Sequence, residues 1–400
     1  MRKRLIAFLK RHPKLLRAFW AIAGWGLRVV GRFVRVREKT AIFASFGGRN
    51  FDDSPKAVYD QMCADERFKD WKFYWAFVEP SKFDIPRGEK VKIDTPAFFK
   101  ALMFCQVWVG NSSITRGVDL YPKKTQVRVE TWHGTPLKKI GGDENTNSMA
   151  VKKKAPKKKK DCHTVRCAQS EYDRAIFTRI YNADEKAFLT CDLPRNDALL
   201  KYTDSERATI KEKLGVVGDK KVVLYMPTYR EYAYDKDKKI CLTPPMDLKK
   251  WQSALGDKYC LLVRAHYMVE SAMGIVENEF VKVVSSYPYL NDLYAVADIL
   301  ISDYSSAFID YSILKRPMLC FAYDKEEYEQ KRGLYIDLEK ELPCAVRKTE
   351  EEVIDDILTL DYERASAKTD EFRRKYAPYA GGASNAVIDK ILQRIKEMKA

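Results

Sequence analysis

The residue best suited to acid–base chemistry lies in VETWHGTPLKKI, residues 129–140, where one of the chain's four histidines follows a strand-like apolar run. A histidine pKa lies close to neutrality, so His133 is predicted to be a general base. Gly134, next to it, leaves the backbone open for access. The acids that could orient the His133 ring are Asp52, Asp53 and Glu130. The alternative is a histidine that makes only structural hydrogen bonds within a turn.

A second candidate constellation is SDYSSAFIDYSILK, residues 302–315. The apolar run before it ends near Ser302, Asp303 turns the chain, and Ser305 and Ser306 precede a helical pattern. Two hydroxyls beside the free N–H groups of a helix start are typical of an anion site, so this stretch is predicted to bind a pyrophosphate. The alternative is that Ser305 only caps the helix.

Two further stretches, RAHY and MPTYR, follow apolar runs of the second half of the chain. Arg264 and His266 belong to RAHY, where an arginine can bind phosphate oxygens and a histidinium can neutralise a departing phosphate. Thr228 and Arg230 belong to MPTYR and give a weaker indication of the same kind. All four residues, together with Asp303, are candidates for contact with a phosphate.

The elements that must position these residues are apolar runs alternating with helix-like segments from residue 40 onward. The predicted strands are TAIFASF, KFYWAFV, QVWVGN, VRVETW and HTVRCA, then KVVLYMPTY, YCLLVRAH, VKVVSS, ADILISD and PMLCFAYD. The clearest predicted helices are SPKAVYDQMCAD and SEYDRAIFTRIYN. This alternation indicates an α/β fold of two Rossmann-like, doubly wound domains, with a basic arm at residues 1–39, a first domain at 40–200 and a second at 201–400. Ligands of such sheets bind beyond the carboxyl ends of the strands, so His133 and His266 are expected to face each other across a cleft.

The net charge of +16 is concentrated in two places. Residues 1–39 carry twelve lysines and arginines against one glutamate, and residues 151–160 carry seven lysines and no acid. The remaining chain is close to neutral, which favours contact with an anionic surface at defined places over a nucleic-acid groove. We therefore expect an anionic membrane surface, and no nucleic acid, as a partner.

The N-terminal arm mixes basic residues with tryptophan, phenylalanine and leucine. Its longest charge-free run, residues 18–27, is too short for the ~20 residues that a membrane-spanning helix needs. The composition is typical of an amphipathic helix lying among lipid headgroups, which predicts a peripheral protein on the cytoplasmic face of the cell membrane. The alternative is a helix that packs on the body of the protein.

Nine cysteines are scattered through the chain without a CxxC pair. Such spacing indicates reduced thiols rather than a disulfide framework, and it indicates no zinc site. No Walker A loop and no GxGxxG or HExxH motif occurs either, so no metal and no cofactor is predicted.

Taken in order, WHGTPLKKIG, PRND (194–197), PTYR, RAHY, SDYSSAFIDYSILKRP and RGLYID (332–337) resemble the motifs of the CDP-glycerol glycerophosphotransferase family of teichoic acid synthesis. The resemblance runs from about residue 46 to residue 337. One departure is Asp192, which lies before PRND where members of the family usually have glycine. The conformation of that loop is therefore uncertain from the sequence.

The resemblance implies a GT-B fold in which the second domain binds the donor and the first binds the acceptor. An acceptor hydroxyl attacks the polyol-bearing phosphate of CDP-glycerol or CDP-ribitol, and CMP leaves. The family's motifs imply that His133 is the base and that His266, Ser305 and Ser306 hold the pyrophosphate. They also imply that Arg332, Gly333 and Asp337 lie by the donor, as we expect of Arg264, Asp303, Thr228 and Arg230. The acceptor is then a lipid-linked polyol phosphate or glycan of teichoic acid or capsule, and the residues expected on its side are Gly134, Thr135, Asp52 and Asp53.

Two other functions remain open on the residues alone. A nucleotide-sugar glycosyltransferase acting on a lipid-linked acceptor would use the same fold and the same phosphate site. A noncatalytic protein that binds anions or nucleic acid at the membrane would account for the charge. Release of CMP from CDP-glycerol, against release of UDP from a UDP-sugar or salt-dependent binding of random DNA, separates the three.

Overall fold

The computed structural model describes residues 12–115, 118, 120–145, 163–230, 232, 243–265 and 273–399. Two parallel sheets organise this part of the chain, each with helices on both faces. The first sheet has the order β3-β2-β1-β4-β5-β6-β7 and the second the order β10-β9-β8-β11-β12-β13. We call each sheet with its covering helices the first lobe and the second lobe.

The strands of the first sheet are β1 Arg37–Ala44, β2 Lys72–Phe77, β3 Glu89–Lys92, β4 Cys105–Gly110, β5 Val127–Glu130, β6 Thr164–Ala168 and β7 Phe188–Thr190. Those of the second are β8 Lys221–Met226, β9 Tyr259–Val263, β10 Val281–Val283, β11 Ile299–Ser302, β12 Met318–Phe321 and β13 Val346–Arg347. All ten predicted strands are present. The three strands that were not predicted, β3, β7 and β13, are short edge strands without a buried apolar run.

The helices are α1 Pro13–Phe33, α2 Asp53–Ala64, α3 Pro96–Phe104, α4 Glu171–Tyr181, α5 Asp204–Lys213, α6 Leu248–Leu255, α7 Leu290–Val296, α8 Ala307–Ser312, α9 Lys325–Lys331, α10 Leu338–Glu341, α11 Glu350–Leu358, α12 Tyr362–Tyr376 and α13 Ala383–Glu397. Short 3₁₀ turns occupy Glu66–Phe68, Pro80–Lys82, Gly141–Asp143, Glu185–Ala187 and Pro194–Ala198. Both predicted helices are present, as α2 and α4. A capping box, in which Ser170 and Asp173 satisfy each other's backbone N–H groups, fixes the start of α4.

The cores follow from the apolar strands. Val127 and Val129 of β5 pack on one face of the first sheet with α2 and α13, whereas Ile42 and Trp108 pack on the other face with α3. Because α13 lies at the end of the chain, residues beyond the second sheet contribute to the core of the first lobe. The domain boundary at residue 200 stays a prediction, and α13 packs across it.

The arm is helical over the part that is described. Leu27 and Val34, at the end of α1, pack against the apolar cluster beneath α3. Among the described residues, no helix combines the length and apolarity needed to cross a bilayer. Residues 1–11 and the lysine-rich stretch 151–160 lie outside the described residues, as do Cys162 and Cys241; the seven described cysteines form no disulfide.

Candidate active site

A cavity of about 600 Å³ lies between the two lobes, and residues of both line it. We call it the interlobe cavity. It is located where both parallel sheets end, beyond the carboxyl ends of their strands. Six of the predicted site residues line it, namely His133, Asp52, Asp53, Arg264, Ser305 and Ser306.

The His133 ring is oriented by the backbone rather than by a carboxylate. The loop after β5 turns sharply, with a φ of 55° at Trp132, and directs His133 so that its Nδ1 lies 2.8 Å from the carbonyl oxygen of Asn111. A carbonyl can only accept a hydrogen bond, so Nδ1 of the neutral ring carries the proton and Nε2 carries the lone pair. Burial lowers the pKa of His133 below its ordinary value, which keeps the ring neutral and basic near pH 7.

None of the three acids expected to orient the ring does so. Asp53 accepts hydrogen bonds from the Asn111 side chain at 3.0 Å and from Arg195 and makes none to the ring; its charge raises the pKa of His133, against the larger lowering by burial. Asp52 lines the cavity with a pKa that burial raises to about 6. Glu130 forms ion pairs with two arginines on the other side of the loop.

Direct contact between the two lobes occurs at Gly134 and Ser306. Gly134 has a φ of 147°, and a β-carbon at this position would lie 2.5 Å from Ser306 Oγ. Only glycine allows this approach without displacing the serine. The loop that carries His133 therefore lies against the serine pair of the second lobe.

The second-lobe side of the cavity supplies hydroxyls and a cation. Ser305 Oγ accepts a hydrogen bond from the N–H of Ala307 at 3.1 Å. Arg264 donates to the carbonyl oxygens of Val284 and Tyr287, at 3.2 and 2.7 Å, which holds its guanidinium against the cavity wall. Burial lowers the pKa of Arg264, as expected for a cation enclosed between two lobes.

A buried ion network joins the lobes directly beneath the cavity. Arg195, in the 3₁₀ turn Pro194–Ala198, donates to Asp53 at 2.6 Å and to Asp310 of α8 at 2.6 Å. The same guanidinium donates to the backbone carbonyl of His133 at 3.1 Å. Arg195 thus connects the start of α2, the second-lobe helix α8 and the backbone of the candidate base.

Asp192, the departure noted in the sequence, is buried next to this network. Its Oδ1 accepts hydrogen bonds from the side chains of Gln169 and Asn196 at 2.8 and 3.0 Å. Burial raises the pKa of Asp192 to about 7. The carboxyl therefore belongs to the interlobe hydrogen bonds, and the turn that follows it keeps the conformation that places Arg195.

The profile of the family described as CDP-Glycerol:Poly(glycerophosphate) glycerophosphotransferase matches residues 28–393, which is most of the chain. The chain belongs to the CDP-glycerol glycerophosphotransferase family. This membership confirms the resemblance of the motifs.

Relatives of known function agree with the family. The chain is 32% identical over 376 residues to the teichoic acid poly(glycerol phosphate) polymerase of Staphylococcus epidermidis, covering 90% of this chain and 52% of that protein. It is 30% identical over 398 residues to the enzyme of the same name from Bacillus spizizenii, covering 96% and 98%. It spans about half the length of the S. epidermidis polymerase and of the Bacillus subtilis one.

Solved structures confirm the fold. The wall teichoic acid polymerase TagF superposes with a TM-score of 0.81 at 28% identity, over 99% of both chains. UDP-GlcNAc 2-epimerase from Neisseria meningitidis, at 10% identity and a TM-score of 0.51 over 88% of this chain and all of that one, shares the fold alone. The glycerophosphotransferase family member described here therefore has the predicted two-lobed, GT-B-like architecture.

Several predicted site residues do not reach the interlobe cavity. Thr135 is fully buried and donates to Gln169 and Asp173, so it supports the loop instead of facing an acceptor. Arg230 is buried between Asp303 and Asp324, at 2.8 and 2.7 Å, and stacks near tyrosine rings. The sequence cannot distinguish an arginine that is neutralised inside the second lobe from one that faces a phosphate.

Asp303 and Thr228 belong to the same buried framework. The carboxylate of Asp303 accepts from the backbone N–H of Thr228 at 2.9 Å and from Arg230. Neither residue lines the interlobe cavity. Asp303 thus fastens the end of β8 to the turn that presents Ser305 and Ser306, and its contact with the donor stays a prediction.

The RGLYID segment joins the lobes at a second place. Lys138 and Leu334 form an antiparallel bridge, and a β-carbon at Gly333 would lie 2.7 Å from the Lys139 side chain. Arg332 pairs with Glu144 at 2.8 Å. Asp337 caps α10 and pairs with Lys340 at 2.9 Å. This segment contacts the stretch after WHGTP and does not line the interlobe cavity, and its place by the donor stays a prediction.

His266 lies outside the described residues, directly after Ala265 at the end of β9, so its role stays a prediction. Within the described residues, no group of histidine, cysteine and acidic side chains is arranged to hold a metal ion. Reasoning from the sequence missed Arg195 and Asp310 as functional residues. Arg195 belongs to the PRND motif and Asp310 to the FID motif of this glycerophosphotransferase-family chain, but the two residues form an ion pair only when the lobes are in contact.

Proposed function

We propose that this protein transfers glycerol phosphate from CDP-glycerol to a hydroxyl group of a membrane-linked teichoic acid precursor and releases CMP, with His133 as the general base. The observation that carries the proposal is the His133 ring, whose Nδ1 is held by a carbonyl so that Nε2 is the basic atom in a cavity shared with Ser305 and Ser306. Family membership supplies the reaction class.

The step conserves atoms and charge as follows. The acceptor hydroxyl gives its proton to Nε2 of His133 while its oxygen forms a bond to the glycerol-bearing phosphorus. The bond from that phosphorus to the bridging oxygen breaks, and CMP leaves with the electron pair. Phosphoryl transfer depends mainly on positioning and on charge stabilisation, which the arginine and hydroxyls of the second lobe would provide.

The donor is proposed to bind with its diphosphate against Ser305, Ser306 and Arg264. A cation and two hydroxyls facing the same space suit a group with two negative phosphates. A structure of TagF with a histidine replaced by asparagine, soaked with CDPG, superposes on this chain with a TM-score of 0.82 at 27% identity, which supports this class of donor. Glycerol is favoured over ribitol because three glycerol-phosphate polymerases and one glycerol-phosphate transferase are 30–32% identical to this chain and two glycerol-phosphate primases 26 and 28%, whereas the ribitol-phosphate polymerase and primase are 25% identical.

The proposed base is tested by replacing His133 with alanine and measuring CMP release. General-base catalysis contributes roughly 10² to 10⁴-fold, so we expect a loss of that size with donor affinity within a few-fold of the parent. His163→Ala is the matched control, because His163 lies at the amino end of β6, away from the cavity, and its loss should leave turnover unchanged. A His133→Ala variant that still releases CMP within a few-fold of the parent rate would refute the assignment.

We also propose that α1 binds the surface of an anionic membrane. Among the α1 side chains whose burial is described, five large apolar ones are exposed and fall within an arc of about 140° on a helix of 3.6 residues per turn; they are Leu15, Ile22, Trp25, Val30 and Phe33. Ile22 is 70% and Phe33 85% exposed, and Arg28 and Arg32 lie on the adjacent flank. An apolar stripe beside cations is typical of helices that lie among anionic headgroups.

Vesicle flotation tests this membrane role. Replacing Ile22 and Phe33 with serine should weaken binding to vesicles that contain anionic lipid by roughly tenfold or more, because each buried apolar side chain contributes about 1.5–3 kcal/mol. Val276→Ser with Leu358→Ser is the control, since both are exposed apolar residues of the second lobe. Equal flotation of the two double variants would show that the exposed apolar residues of α1 do not bind the membrane.

A further inference from the structure

A second cavity, of about 400 Å³, lies within the first lobe and is separate from the interlobe cavity. We call it the first-lobe cavity. Aromatic rings form much of its wall, from Tyr121, Trp132, Phe177 and Tyr181. Its charged lining residues are Arg128, Glu130 and Arg166.

The charges lie where a doubly wound sheet normally carries apolar side chains. On this face of the first sheet, Ile42 of β1 and Trp108 of β4 belong to an apolar cluster. At β5 and β6 the same face instead presents Arg128, Glu130 and Arg166, because Trp108 is in register with Arg128 and Glu130 with Arg166. The helical layer leaves a cavity above these three residues.

Stability alone does not explain this arrangement. Burying charges on a sheet face costs several kcal/mol per ion, and apolar residues of similar volume would commonly be as stable or more so. Glu130 is ion-paired with both Arg128 and Arg166, and it is the one acid among the described residues that line the cavity. Two guanidiniums and one carboxylate leave an excess positive charge, which suits an anionic ligand.

The aromatic walls specify the ligand further. The Arg166 guanidinium lies 5.3 Å from the centre of the Tyr181 ring, so a phosphate bound by the arginine would have its carbon skeleton against aromatic faces. Faces of this kind pack against the C–H groups of polyols and sugars. Burial lowers the pKa of Arg166 to about 10, and its side chain stays charged at neutral pH.

The location of the cavity connects the membrane helix with the candidate base. Trp132 lines the first-lobe cavity and stacks on the His133 ring with 4.4 Å between centroids. On the opposite side, Tyr121 also lines the groove beneath α1, together with Arg28 and Arg32. A ligand in this cavity would lie between the proposed membrane surface and the reacting centre.

We propose that the first-lobe cavity binds a phosphate-bearing polyol or sugar unit of the acceptor, with Arg128 and Arg166 contacting the phosphate. This inference rests on the glycerophosphate transfer proposed above. The donor is assigned to the interlobe cavity, so the two substrates would bind on opposite sides of the Trp132–His133 pair.

The test compares Glu130→Gln with Glu130→Gln/Arg166→Met. Both variants lack the carboxylate, so the double variant leaves no unpaired acid, and the two differ only in the guanidinium. Loss of a charge-assisted contact to phosphate should raise the KM for a water-soluble trimer of glycerol phosphate roughly 10- to 100-fold. The KM for CDP-glycerol should stay within about threefold.

Calorimetric binding of the trimer, without donor, separates this inference from the proposed function. Weaker binding of the trimer by the double variant supports acceptor binding in the first-lobe cavity, whether or not the protein releases CMP from CDP-glycerol. Absence of CMP release would refute only the proposed function. Equal binding and equal KM for the two variants would overturn the inference. N-acetylglucosamine 1-phosphate is the second probe. If only the trimer binds, the ligand of the cavity is the polyol phosphate, and if only the sugar phosphate binds, the ligand is the sugar-phosphate headgroup. If neither binds, the proposal is overturned.

Discussion

Replacing Arg195 with methionine should be among the most damaging single substitutions in the interlobe region. The guanidinium is enclosed between Asp53 of the first lobe and Asp310 of the second, both at 2.6 Å. Methionine keeps most of the volume and removes the charge. Two buried carboxylates are then left without their cation.

The structure indicates the size of the effect. Removing one partner of a buried ion pair costs about 3–5 kcal/mol, because the remaining charge is no longer compensated. Asp53 keeps hydrogen bonds from the N–H of Ser54 at 2.7 Å and from Asn111 at 3.0 Å, and Asp310 keeps two, from Asn196 at 3.0 Å and from Gln169 at 3.4 Å. These remaining contacts keep the expected loss within that range, although two carboxylates are affected.

Urea unfolding followed by tryptophan fluorescence measures the loss. Arg207→Met is the matched control, since Arg207 pairs with a fully exposed Asp204 at 3.1 Å and such a surface pair contributes about 1 kcal/mol or less. Adding Asp310→Asn to Arg195→Met should recover part of the stability, because it removes one uncompensated charge. CMP release should also fall, because Arg195 donates to the His133 carbonyl at 3.1 Å.

The reasoning is refuted if Arg195→Met unfolds at the same urea concentration as Arg207→Met. It is also refuted if Asp310→Asn lowers the stability of Arg195→Met further. Either result would mean that the network beneath the cavity does not hold the lobes together.

Two further predictions concern the cavity itself. Gly134→Ala forces a β-carbon against Ser306 Oγ at a φ of 147°, so steady-state assays should show CMP release reduced at least tenfold. Ser306→Ala, which removes only the hydroxyl, should keep the fold. Full activity of Gly134→Ala would contradict the close approach of the two residues. Burial lowers the pKa of His133, so in pH profiles of kcat/KM the rate should be level near pH 7 and should fall at a more acidic pH than an unperturbed histidine would give, as the ring becomes protonated. Asp52 has a pKa of about 6, and Asp52→Asn should keep this acid limb; loss of the limb would assign it to the carboxyl instead.

Much of the fold could be predicted because strands buried on both faces are continuous apolar runs. YCLLV and ADILI are of this kind, and both became central strands. β3, with the sequence EKVK, could not be predicted because an edge strand obtains its order from pairing with β2 and not from its own apolar content.

The site residues that follow strand ends could be predicted from the sequence, whereas the contacts that form only when the two lobes meet could not. The rule that ligands lie beyond the carboxyl ends of strands led to His133, Arg264, Ser305 and Ser306, and all four line the interlobe cavity. Arg230 also follows a strand, but its neutralisation by Asp324, almost a hundred residues away, is a property of the folded lobe. The pairing of Arg195 with Asp310 likewise exists only after the two lobes meet.

The most direct test of the central claim is a crystal structure of the His133→Asn variant soaked with CDP-glycerol. We predict that the diphosphate lies in the interlobe cavity within hydrogen-bonding distance of Ser305 and Ser306, with the glycerol-bearing phosphorus facing residue 133. Density for the nucleotide in the first-lobe cavity, or a diphosphate separated from residue 133 by packed side chains, would contradict it.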